Sequence, residues 1–156
     1  MDAKRTELLG YLNEARQELS SLSRSLSPKD LTLTPEVGGW TVKDILSHVA
    51  NSEAGLVGTA ARIAAGEAHA KPGFDLHAFN QREVEKRRER SIEELLAELD
   101  ASRATMVKTL EGMTDEHLEA KGFMRSGLPI DVMAVFRRIG DHERTHSQEI
   151  RTATGK

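Results

Sequence analysis

Apolar residues along the chain repeat mostly at steps of three and four. Leu8, Leu12, Ala15, Leu19, Leu22 and Leu26 form one stripe, which predicts a helix from Asp2 to about Leu26. Ser27-Pro28 stops it, and Pro28, Pro35, Gly38 and Gly39 mark residues 27–40 as a loop with one short turn. Thr41 followed by Asp44 reads as an N-cap with a first-turn acid, suited to the positive end of a helix dipole. Val42, Ile45, Val49, Leu56, Ala60 and Ile63 continue that second helix, with a gap near Ser52, and Gly66 ends it. Gly55 and Gly58 weaken its interior, so close packing by a neighbour is expected there.

Past the loop at residues 67–73, Asp75 to about Arg90 reads as a shorter polar helix. Ser91-Ile92-Glu93-Glu94 matches a capping box, and Ile92, Leu96, Leu99, Met106, Leu110 and Met113 give a further stripe. Residues 114–129 are rich in turn formers, and a last helix is expected over about Ile130–Ala153. Four long amphipathic helices without a strand pattern predict an all-α four-helix bundle with at least one long connection. The 156 residues fit a single domain, 1–156.

Composition narrows the chemistry. Lys plus Arg number 22 against 25 Asp plus Glu, a net charge of −3, which is a poor match to nucleic acid. The basic run Lys86-Arg87-Arg88-Glu89-Arg90 reads as a solvated helix face rather than a phosphate track. Aromatic residues are only 4%, too few for a base-stacking platform. Absence of cysteine removes disulfides, thiolate nucleophiles and cysteine-based metal sites. The first residues are charged throughout, and no apolar run is long enough to span a bilayer, so a soluble cytoplasmic protein is expected.

The six histidines then carry the argument. Val132, Val135, Ile139, His142, His146 and Ile150 form one stripe, so His142 and His146 stand where core residues belong. Buried imidazoles need hydrogen-bond partners or a metal. Core-edge histidines satisfied by neighbouring helices are the plain alternative. His48, at the edge of the second helix's apolar face, is placed to supply a third ligand across the bundle. Three His ligands with an open position would be a catalytic rather than a structural zinc arrangement. His69, His77 and His117 read as surface residues.

His142-Glu143-Arg144-Thr145-His146 also spells the H-E-x-x-H of zinc peptidases. Charged Arg144 inside the motif, only residues 147–156 beyond it, and no substrate-binding sheet argue against a peptidase. Glu143 points about a quarter turn from His142, within possible reach of a water on the metal.

Gly39-Trp40-Thr41-Val42-Lys43-Asp44-Ile45-Leu46-Ser47-His48-Val49 resembles the signature of the DinB-like superfamily, in which a Trp opens the second helix and a His follows. Gly140 to Ile150 is similar to the H-x-x-x-H of its last helix. The middle, with Asp75, Phe79-Asn80, Ser91 to Leu95 and Met113 to Leu118, is similar in order and spacing. This resemblance covers nearly the whole chain. It implies an antiparallel four-helix bundle with a long crossover, and a divalent metal on His48, His142 and His146. It also implies small-molecule chemistry: members with known activity include thiol-dependent isomerases and S-transferases, and many form homodimers.

Two readings follow. One is a metal-dependent enzyme, using zinc or nickel (iron is a further candidate), that acts on a small-molecule substrate. Without cysteine, any thiol must be imported as a low-molecular-weight cosubstrate. Arg137, Arg138 or Arg144 are candidates for its carboxylates, and Asn80 and Asp141 for supporting the ligands. The other is a non-catalytic, metal-stabilised module that dimerises or binds a small ligand.

Overall fold

The computed structural model describes residues 2–37, 39–67 and 71–156. Its helices are α1 (Asp2–Ser25), α2 (Val42–Ala64), α3 (Leu76–Lys86), α4 (Ile92–Glu111), α5 (Asp115–Glu119) and α6 (Val132–Thr154), with a 3-10 turn at Asp30–Thr32. The long helices α1, α2, α4 and α6 form the bundle predicted from the stripes. Their starts are fixed by side chains that satisfy free backbone N–H groups. Thr41 and Asp44 cap each other at α2, as Ser91 and Glu94 do at α4, and Asp131 accepts from the Ala134 N–H at α6.

Two apolar clusters set the helix directions. Leu8 and Leu12 of α1 meet Val57, Ala60 and Ile63 of α2, Met106 and Leu110 of α4, and Val132, Val135, Phe136 and Ile139 of α6. At the other end Leu19 and Leu22 meet Val42, Ile45, Leu46, Val49 and Ala50, Leu95 and Leu99, and Ile150. Therefore α1 and α6 run one way, and α2 and α4 the other. α6 packs along both α1 and α2, and α2 along both α6 and α4. Two connections reverse the chain. The third, from α2 to α4 by way of α3, is the long crossover that returns it parallel.

The structure departs from the expected elements at several points. Residues 114–129 contain α5 and the start of a hairpin whose strands β1 (Lys121–Phe123) and β2 (Pro129–Asp131) pair antiparallel, Gly122 opposite Ile130. Three-residue strands are too short to show a period-two pattern. β2 occupies the positions expected to open the last helix. α3 is shorter than predicted, because Arg87 ends it by turning its guanidinium onto Glu83, Glu98 and Asn51. Arg88 faces Asp44 and Arg90 pairs with Glu98. The basic run is thus solvent-exposed as expected at Lys86, Arg88, Glu89 and Arg90, but Arg87 is buried in an ion-paired junction. Gly55 and Gly58 have open space where a Cβ would stand, so no neighbour packs closely on them.

Between the apolar clusters lies a layer of charge, with one residue from each long helix. Arg16 of α1 donates to Glu53 of α2 at 2.6 Å and to Glu143 of α6 at 2.6 Å. Arg103 of α4 donates to Glu53 at 2.7 Å and to Glu143 at 2.9 Å. Further bonds run from Arg16 to the Leu99 carbonyl, from Arg103 to the Leu12 carbonyl, and from the Ser102 hydroxyl to Glu53. Glu53 and Glu143 are buried at 2% and 1% exposure. Burial of such charges is costly unless every one is matched, and two cations here face two anions. Burial opposes the charge on Glu53, but Arg16 and Arg103 outweigh it and hold the carboxyl below its usual range. For Glu143 burial wins and pushes the carboxyl up, with the two arginines pulling against it.

Removing one partner strands the others in a low-dielectric interior. Glu53→Leu leaves two guanidinium groups on one carboxylate, and is expected to destabilise the fold by about 3–5 kcal/mol. Urea denaturation measures this; an unchanged midpoint would contradict the charge-matched layer.

Candidate metal centre

His48 lies in the first half of α2, whereas His142 and His146 lie at and just past the middle of α6. Because the two helices are antiparallel neighbours, these positions fall at one level. The Nε2 atoms of His48 and His142 are 2.9 Å apart, and those of His142 and His146 are 3.0 Å apart. The three ligating nitrogens all lie within 4.8 Å of one another. Ring planes meet nearly edge-on, at 77° for His48 and His142 and 87° for His142 and His146, so nitrogens rather than ring faces converge.

An imidazole nitrogen offers either one hydrogen or one lone pair. His142 Nε2 can therefore satisfy only one of its two nitrogen neighbours. A cation accepting all three lone pairs removes that conflict. Nitrogens bound to one ion at about 2.0–2.1 Å stand roughly 3 Å apart, close to the 2.9 and 3.0 Å found for two of the three pairs. The donor set thus fits a divalent metal of the kind imidazole favours. Charge state fits as well. Burial lowers the His48 imidazole to about 4 and the His142 imidazole to about 3, with His146 pushing both the same way. Both rings are neutral near pH 7, with lone pairs to give.

Supporting contacts orient the rings. Glu149, one turn past His146, lies 3.0 Å from His146 Nδ1. A hydrogen on Nδ1 directed at that carboxylate leaves the Nε2 lone pair facing the cluster. Ser52 donates to the His48 carbonyl at 2.7 Å, with its oxygen 3.5 Å from His48 Nδ1. The Trp40 ring lies 4.9 Å from the His48 ring and its indole N–H donates to Gln81 of α3 at 2.8 Å, which ties the crossover to the site. Glu149 and Ser52 escaped the sequence reading, although each follows a histidine by three or four residues, a spacing that shares a helix face.

Other candidates fall elsewhere. Glu143 does not face the cluster: it belongs to the buried charge layer, bound by Arg16 and Arg103, so it is no base for a water beside the histidines. This removes the part that the H-E-x-x-H reading needs. Asp141 accepts from the Tyr11 hydroxyl on the outer side of α6. Asn80 sits half-buried on α3 and bonds none of the three histidines. Arg137 and Arg144 lie over the Tyr11 ring at 4.4 and 4.5 Å, and Arg144 also pairs with Glu14 and Glu18. Arg138 is exposed, close enough to His142 to depress its protonation. His77 and His117 are exposed, His117 within the capping box of α5. His69 lies outside the described residues.

A helical bundle with three imidazole nitrogens turned to one point has the arrangement of bundles that take a divalent metal between facing helices. The DinB superfamily model matches residues 11–150, and the chain belongs to that superfamily. Solved structures share the fold. YfiT from Bacillus subtilis, described as a probable metal-dependent hydrolase with an unusual four-helix bundle topology, is 17% identical with a TM-score of 0.73, over 97% of this chain and 84% of that one. TT2238, a four-helix bundle protein, is 22% identical with a TM-score of 0.67, over 92% and 95%. A mycothiol-dependent maleylpyruvate isomerase is 13% identical with a TM-score of 0.77, over 94% of this chain and 60% of that longer one. No curated protein matches the sequence. Among the described residues no helix is long and apolar enough to cross a membrane.

The α1–α6 contact that aims the second half of α6 relies on Gly140. A Cβ there would stand 3.0 Å from Tyr11 Cδ1 and 3.2 Å from Leu12 Cδ2, against a ring held by two arginines and Asp141. Gly140→Ala is expected to lower stability by about 1–3 kcal/mol, although alanine is the better helix former by about 1 kcal/mol. Thermal melting checks this, and an equal or higher melting temperature would contradict the close approach.

Proposed function

We propose that the protein is a metal-dependent enzyme whose divalent ion is held by His48, His142 and His146, and which acts on a small-molecule substrate. The observation that carries this reading is the convergence of three imidazole nitrogens from two helices at a position where the apolar stripe asks for aliphatic side chains. Zinc or nickel suits such ligands, with iron a further candidate. A cation with three protein ligands keeps room for another group and lowers the pKa of a water or thiol that occupies it.

The chain's own contribution is positioning. α2 and α6 fix the three nitrogens, Glu149 sets the His146 tautomer, and Trp40 covers the His48 ring. Since the sequence has no cysteine, thiol chemistry here needs an imported low-molecular-weight thiol. The names of two structural neighbours, a probable metal-dependent hydrolase and a mycothiol-dependent isomerase, support hydrolysis or thiol-dependent isomerisation. With Glu143 bound into the core, the peptidase mechanism has no base.

Elemental analysis of the purified protein is expected to show about one divalent ion per chain. His48→Ala and His146→Ala should each lose most of it, and an unchanged load in both variants would overturn the assignment. A panel of low-molecular-weight thiols with electrophilic acceptors should give turnover that chelator abolishes. Ligand binding without turnover would favour a non-catalytic metal-stabilised module instead.

A further inference from the structure

The three rings of the site are held unequally. His146 is oriented by Glu149, 3.0 Å from its Nδ1. His142 stands between the other two, its Nε2 at 2.9 and 3.0 Å from theirs. Among the described residues His48 has no comparable polar partner. The Ser52 oxygen is 3.5 Å from His48 Nδ1, at the edge of hydrogen-bond range, and its hydrogen goes to the His48 carbonyl. Three rings border the imidazole instead: those of His142 and His146, and that of Trp40, with centroids 4.9 Å apart and planes inclined at 44°.

Trp40 precedes the N-cap Thr41, so the helix itself does not fix its side chain. Two contacts do. Its ring packs on the apolar cluster at that end of the bundle, and its indole N–H donates to Gln81 Oε1 at 2.8 Å. Gln81 is matched at both ends of its amide, because the nitrogen donates to Glu85 Oε1 at 3.0 Å. An amide engaged on both sides cannot flip without losing both bonds. The helix that carries it is anchored too: Val84 is buried, and Arg87 binds Glu98 of α4 and Asn51 of α2. A continuous set of contacts therefore runs from the crossover through Gln81 and Trp40 to an imidazole of the site. Partners beyond the ligands themselves orient the rings and tune metal affinity.

We propose that Gln81 is a positioning residue of the metal centre: by holding the Trp40 indole it keeps the His48 ring turned toward His142 and His146, so that α3, which lies outside the four-helix bundle, sets the metal affinity. This rests on the metal-site reading above, and adds to it a residue whose own hydrogen bonds go to Trp40 and Glu85.

The test measures zinc affinity by competition with a chelating dye. Gln81→Met keeps the length of the side chain and removes the acceptor. It should weaken zinc binding about tenfold, the lower end of what partners beyond the ligands typically cost. In a Trp40→Phe background there is no indole N–H to lose, so the same substitution should change the affinity by less than about twofold. Trp40 is the only tryptophan of the chain, so its emission reports the contact directly. Without zinc, Gln81→Met should shift that emission to the red as the freed indole turns toward water. An unchanged zinc affinity in Gln81→Met, an equal loss in both backgrounds, or an unshifted emission would each overturn the proposal. A wild type that binds zinc no more tightly than Gln81→Met contradicts only the role of Gln81, whereas a wild type that binds no zinc contradicts the three-histidine reading and this proposal with it.

Discussion

Two arginines and two glutamates, one from each long helix, must meet in the middle of the bundle, and the rest of the structure follows from that requirement. Glu53 and Glu143 are almost wholly buried, so any helix register that separated them from Arg16 and Arg103 would leave charge without water or partner. Apolar packing tolerates small sliding of one helix along another, but a four-charge layer with short hydrogen bonds does not. The register it sets between α2 and α6 also places His48 beside His142 and His146. Glu143 is next in sequence to His142, so one helix turn carries both the core charge and the metal-directed nitrogen.

Much of the bundle was legible because its helices carry regular stripes. Leu8, Leu12, Ala15, Leu19 and Leu22 are all buried as their spacing predicted. The same regularity exposed its own exceptions. The gap in the α2 stripe near Ser52 is where Glu53 enters the core, and the wide step from Leu99 to Met106 in α4 holds Ser102 and Arg103. The sequence reading noted the first gap without drawing a buried charge from it, and which charges pair across four helices depends on tertiary register. The hairpin at 121–131 was illegible because its strands are held by backbone pairing and carry no hydrophobic period.

The site divides in the same way. His142 and His146 were visible as imidazoles in core positions, and His48 as a candidate across the bundle. Glu143 misled, because a sequence motif records neighbours in the chain and says little about which face each side chain takes. Its position one residue on from His142 turned it inward, while Glu149, three residues after His146, stayed on the histidine face. Gly140 was likewise unremarkable in sequence, and its role is apparent only with the Tyr11 ring packed against it. That any thiol chemistry here would need an imported thiol, by contrast, needed no structure: a chain without cysteine cannot supply its own.

The central claim is that three histidine side chains share one metal ion, and X-ray absorption at the edge of the bound metal tests it most directly. The account predicts a first shell with three imidazole nitrogens at about 2.0–2.1 Å for zinc, falling to two in His142→Ala. A shell with no imidazole scattering, or one unchanged by that substitution, would contradict it.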